Sequence, residues 1–113
     1  MFRGIFAYRM RPGVDMDEYQ ALAFRMLELL TENPEFGFRS ATPYTAANGD
    51  GLLYVEFESR EGIAAWRNDP EHLAAQERGR SEFFESYWID YVNRQCTFDL
   101  EHGRQVVPAP VAG

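Results

Sequence analysis

His72, Gln76 and Arg80 recur at intervals of four, so on a helix they stand one above another on a single face. Trp66 precedes His72 by six residues. Together these side chains offer a proton acceptor, an amide, a guanidinium donor and a flat apolar surface with one N–H. Such a set could take a proton from an acidic ligand and hold a carboxylate or enolate oxygen on Arg80. Asp69 is placed to cap the helix, and Pro70 fits its first turn. His72 then falls at N3, where the helix dipole disfavours the imidazolium and leaves a neutral base. Projected at about 100° per residue, Leu73, Phe83, Phe84 and Tyr87 join Gln76 and Arg80 in one stripe, which predicts a long helix reaching Tyr87.

Each of these residues also has a plainer role open to it. Trp66 fits a core position between helix and sheet. His72 fits a cap-region histidine that satisfies backbone groups. Arg80 could pair with Asp90 or Glu56, or run its stem along apolar surface to water. Tyr8, Tyr44, Tyr54 and Tyr91 are strand tyrosines suited to lining a cavity or to packing. Cys96, the single cysteine, reads as a small buried hydrophobe. His102 is the only other histidine, and no two histidines share a helix face, so no metal site is expected. The sequence holds no Ser/His/Asp pattern, phosphate loop, CxxC pair or dinucleotide fingerprint.

The elements that must position these groups follow from periodicity. Residues 2–10 alternate as a strand with apolar groups on both parities, and Pro12-Gly13 ends it. A helix begins at Asp15, with Asp15 and Glu18 as a capping pair and Val14 with Tyr19 as a staple. Its apolar stripe is Met16, Tyr19, Ala23, Met26, Leu27 and Leu30, with Phe24 off the stripe, and Asn33-Pro34 ends it. Residues 36–46 and 52–58 read as a hairpin joined through Ala47-Asn48-Gly49-Asp50-Gly51. Ser59 caps a short helix carrying Ile63 and Trp66, and the long helix follows. A fourth strand is expected over about 88–99, with a bulge near Tyr91-Val92. The order is β-α-β-β-α-β, the ferredoxin-like α+β arrangement, as one domain over 1–100 with an irregular tail over 101–113.

Two helices cover one face of such a sheet. The other face is left apolar on strands 1, 3 and 4, and a second copy of the sheet would cover it, so a homodimer is expected. With 113 residues the chain supports one core. A net charge of −7 argues against phosphate backbones and anionic membrane surfaces as partners. No apolar run approaches the ~20 residues of a membrane span, and no signal-peptide pattern opens the chain. A lone cysteine fits a reducing cytoplasm.

The run Glu58-Ser59 to Trp66-Arg67-Asn68-Asp69-Pro70-Glu71-His72, with Ala75-Gln76, Gly79-Arg80 and Phe84-Glu85-Ser86-Tyr87 behind it, resembles the antibiotic biosynthesis monooxygenase (ABM) family. The resemblance extends over about residues 2–95 and is specific for the family, not for one reaction. It implies a dimeric α/β barrel with a pocket in each subunit between sheet and helices. Members include cofactor-free oxygenases of aromatic polyketides, haem-degrading enzymes and quinol oxygenases. The haem-degrading members use a strand-1 asparagine and a later helix histidine. Strand 1 here has no asparagine and position 76 is glutamine, so haem degradation is not expected. The anthrone oxygenases place an asparagine one turn before the tryptophan, where this chain has Gly62.

The leading expectation is a homodimeric, cofactor-free monooxygenase acting with O₂ on an aromatic or other apolar small molecule. His72, Trp66 and Arg80 would be catalytic. Gln76, Phe83, Tyr87, Tyr8 and Tyr54 would bind substrate. Two alternatives stand beside it: a non-catalytic ligand-binding or stress-related dimer, and a polyketide cyclase or isomerase using the same base without O₂.

Overall fold

A computed structural model describes residues 1–92 and 95–107, excluding the side chains of 92, 95–99 and 105–107. The side chain of Cys96 therefore lies outside the described residues, as do Pro108 and Pro110. The strands β1 (Phe2–Met10), β2 (Phe38–Thr45), β3 (Gly51–Phe57) and β4 (Phe84–Val92) form one antiparallel sheet in the order β2-β3-β1-β4. Helices α1 (Met16–Glu32), α2 (Arg60–Arg67) and α3 (Pro70–Arg78) supply the α part of this ferredoxin-like α+β fold. No described helix is long and apolar enough to cross a membrane.

The caps act as the sequence indicates. Asp15 accepts from the Asp17 and Glu18 amides, Ser59 from Gly62, and Asp69 from His72. Each satisfies N–H groups that a helix start leaves unpaired. On α1 the buried side is Leu29 and Leu30, with Tyr19, Leu22 and Met26 half-buried. The stripe is thus rotated from the expected one, and Met16, Ala23 and Leu27 are exposed along with Phe24. Leu29 and Leu30 meet Phe36, Phe57, Ile63 and Trp66 in the core.

The long helix is the main correction. α3 stops at Arg78, Gly79–Phe83 makes one wide π-helical turn, and Phe84 already begins β4. A Cβ on Gly79 would lie 2.7 Å from the Phe84 ring, so the turn closes only over a bare backbone. Arg11 takes up the carbonyls that this ending leaves free. Its guanidinium donates to the backbone oxygens of Arg80, Ser81 and Phe84. Phe83 is buried in the turn, whereas Tyr87 stands on a strand.

In β4 the aromatic and β-branched residues favour a pleated surface, which outweighs the helical spacing. The register slips between Arg9 and Met10 of β1, opposite the start of β4, and not near Tyr91. Gln95–Asp99, expected to continue the fourth strand, instead forms β5, a separate hairpin with β6 (Gly103–Val107). β6 occupies part of the segment expected to be an irregular tail.

Register divides the sheet into two faces. Phe2, Phe6 and Tyr8 lie beside Phe57, Leu53, Ile89 and Tyr87 on the helix side. Ile5, Tyr54, Leu52 and Trp88 lie on the other side, with Tyr44 on β2 beside Leu52. There Trp88 is 54% and Tyr44 57% exposed. Arg3 approaches Glu56 at 3.9 Å and Ser40 donates to Glu56, a polar stripe through this face.

Candidate active site

The end of α2 and the start of α3 meet at a tight break, because Asp69 and Pro70 begin a new helix directly after Asn68. The break stacks the two elements' chemistry. The His72 ring lies on the Trp66 ring with centroids 3.8 Å apart and planes 12° apart. The edge of Phe36 packs against the same indole at 5.3 Å. Trp66 is only 7% exposed and belongs to the core cluster. A Cβ on Gly62 would sit 2.2 Å from the Phe36 carbonyl oxygen, so no side chain fits one turn before Trp66.

His72 Nδ1 lies 2.9 Å from the Trp66 carbonyl oxygen. Two lone pairs at that distance would repel, so Nδ1 carries the proton and donates, and Nε2 is left with the free lone pair. Burial pushes the imidazole below its usual range, with the Trp66 carbonyl and the Asp69 carboxylate opposing. The histidine is thus a neutral imidazole of fixed tautomer. Gln76 Nε2 approaches the same Nδ1 at 3.3 Å and the Arg67 carbonyl at 3.4 Å. The first sets two donors face to face and the second is long, so the amide is weakly held and open to a ligand.

Beside this pair lies an open cleft of about 370 Å³, lined by Ala64, Arg67, Asn68, Leu73 and Gln76. Gln76 lines the cleft and His72 does not. Arg80 belongs to a second group. It donates to the Tyr87 hydroxyl at 3.3 Å and pairs with Glu77 at 3.2 Å, with its side chain 49% exposed. Tyr87 and Tyr8 share an aromatic cluster with Phe6 and Phe84, and Tyr8 also meets Tyr19 of α1. Burial, the first cause, and the neighbouring Tyr8 raise the Tyr19 hydroxyl well above the usual phenol range. Phe83 packs on Tyr19 and under the Arg78 guanidinium.

The structure therefore brings Trp66, His72 and Gln76 together, and separately Arg80, Tyr87 and Tyr8. Tyr54 stands on the opposite face of the sheet, away from both groups. Arg67, Asn68 and Ala64 were missed by a reading that followed the stripe of one long helix. The signal was the helix break itself, since a cleft opens where two helices end and start. Among the described residues no group of histidine, cysteine and carboxylate side chains could hold a metal ion.

No protein-family model matches the chain. Over 82 residues it is 37% identical to the uncharacterized protein YqjZ of Bacillus subtilis, covering 71% of this chain and 70% of YqjZ. The chain belongs to the family of that protein. Its fold is also shared with solved structures. A putative antibiotic biosynthesis monooxygenase from Nitrosomonas europaea superposes with a TM-score of 0.66 at 14% identity, over 81% of this chain and 96% of the other. A dimeric ferredoxin-like protein of unknown function from Thermobifida fusca superposes with a TM-score of 0.61 at 18% identity, over 80% and 88%. The chain thus shares the ferredoxin-like fold of these proteins.

Proposed function

We propose that the protein is a cofactor-independent oxygenase of the ABM type, acting with O₂ on an acidic aromatic small molecule. The observation that carries the reading is the His72–Trp66 pair, a neutral imidazole held flat on the indole and next to Gln76, which lines the cleft. A neutral base of fixed tautomer is ready to accept a proton without first losing one.

The chemistry suits a hydroxyanthrone-like CH₂ acid. His72 Nε2 takes one proton from that carbon. The carbanion passes one electron to O₂, and the resulting radical and superoxide combine to form the C–O bond. The carbon then loses its second hydrogen as a proton while the O–O bond breaks. The distal oxygen leaves as water with the proton that His72 returns, and the carbon becomes C=O. The sum is CH₂ + O₂ → C=O + H₂O, which needs no added reductant. Trp66 serves as a positioning residue for the imidazole plane. Gln76 and Leu73 supply amide and apolar contacts, and Arg80 polarises the Tyr87 hydroxyl toward the developing oxyanion.

The subunit is proposed to work as a homodimer. Trp88, Tyr54, Ile5 and Leu52 form an apolar sheet face that a second sheet would bury. Tyr54, expected at the substrate, is assigned to this interface.

A second reading, a non-catalytic ligand-binding dimer, is favoured by the absence of His72 from the residues that line the cleft. Turnover of a hydroxyanthrone in air and under nitrogen separates the readings. The oxygenase stops under nitrogen, a cyclase or isomerase continues, and a binding protein turns over in neither.

A further inference from the structure

We propose that Arg67 anchors the anionic end of the ligand, so that the cleft selects a planar aromatic molecule bearing a carboxylate over its neutral counterpart. This assignment rests on the cleft being the ligand site proposed above. Arg67 lines the cleft, and its guanidinium lies over the Tyr91 ring at 5.6 Å. Among the described residues it has no carboxylate partner. Arg3, Arg9, Arg25, Arg39, Arg78 and Arg80 all face acidic side chains. Arg11, held by backbone carbonyls, and Arg60, over the Phe2 ring, also lack a carboxylate, but neither lines the cleft.

Arg67 and Arg80 also stand at opposite ends of one row. Tyr87, Ile89 and Tyr91 share the helix side of β4, and four strand residues span about 13 Å. Arg80 at the Tyr87 end is already compensated by Glu77. Arg67 at the Tyr91 end is not, so an incoming anion gains most there. Between the ends Ile89 is 43% exposed, and Leu73 on the cleft wall is 46% exposed, apolar surface on which a ring system can lie. Tyr91 holds the guanidinium by its ring face, which leaves the N–H edge free for a bidentate carboxylate.

The test uses 2-naphthoate and 2-naphthamide, near-isosteres that differ in charge. Their affinities are measured by calorimetry for the wild type, Arg67→Gln, Arg67→Lys and Leu73→Ala, with thermal melting to confirm folding. The wild type should prefer naphthoate by about five- to tenfold, and less at high salt. Arg67→Gln should bind the two probes alike, Arg67→Lys should keep part of the preference, and Leu73→Ala should weaken both equally. A naphthoate preference that persists in Arg67→Gln would place the anion on another cation and overturn the proposal. Equal binding of both probes by the wild type would overturn it while leaving the aromatic cleft intact. Binding of neither probe by the wild type would overturn both the anchor and the cleft as ligand site.

Discussion

The His72 ring lies parallel to Trp66, 3.8 Å between centroids, while its Nδ1 donates to the Trp66 backbone oxygen at 2.9 Å. One residue thus fixes the plane of the imidazole with its side chain and the tautomer with its main chain. Substitution of Trp66 leaves the carbonyl in place and removes the plane. Trp66→Ala should cost about 3–5 kcal/mol of stability, as for a buried large-to-small change. Trp66→Phe should cost less and retain part of any turnover. Urea unfolding of the two variants is the check.

Acid should weaken the protein partly through His72. Its folded pKa is lowered by burial, so the unfolded chain protonates first as pH falls. The unfolded state then binds more protons, and stability is lost below about 6.5, the unperturbed value. Above that pH the group contributes no pH dependence. Melting temperatures from pH 7.5 to 5 should fall, and His72→Phe should flatten the decline. An unchanged slope in that variant would show that the imidazole is not kept neutral by the fold.

Arg80→Met should leave the melting temperature within about 3 °C of wild type, because an exposed ion pair is worth little. The side chain is half exposed and its partner Glu77 lies on the surface. A large thermal loss, measured by calorimetry, would make Arg80 a structural residue and remove it from the ligand's reach.

In solution the mass should be twice the 13.1 kDa of one chain. Static light scattering at micromolar concentration reads it directly. Trp88→Glu should shift the mass toward the monomer, since a charge in the centre of a buried apolar face is left unpaired. A wild-type monomer would leave the exposed Trp88 face without the cover assigned to it.

The fold was legible because its local signals agree with its packing. Asp15, Ser59 and Asp69 mark the helix starts, and the strand alternation of 2–10 and 52–58 survives in β1 and β3. The helix stripe through Phe83, Phe84 and Tyr87 was misleading. Aromatic residues at positions 84, 87, 88 and 91 satisfy a helical spacing and a pleated strand alike, and the close contact over Gly79 decides between them. Trp66, His72 and Gln76 were legible as a group because they straddle one helix break. The placement of Tyr54 was not, since strand parity identifies two faces without saying which one the helices cover. Arg67 was overlooked because its role depends on Tyr91, a partner 24 positions along the chain and brought near only by the sheet.

Oxygen uptake with a hydroxyanthrone, measured at an electrode against the uncatalysed background, tests the central claim most directly. The metal-chelated, flavin-free protein should consume one O₂ per substrate, as the balanced reaction requires. His72→Ala should lower kcat by about 10²–10⁴-fold, the usual contribution of a general base, with KM changed only a few-fold. No uptake above background by the wild type, or equal uptake by His72→Ala, would contradict the account.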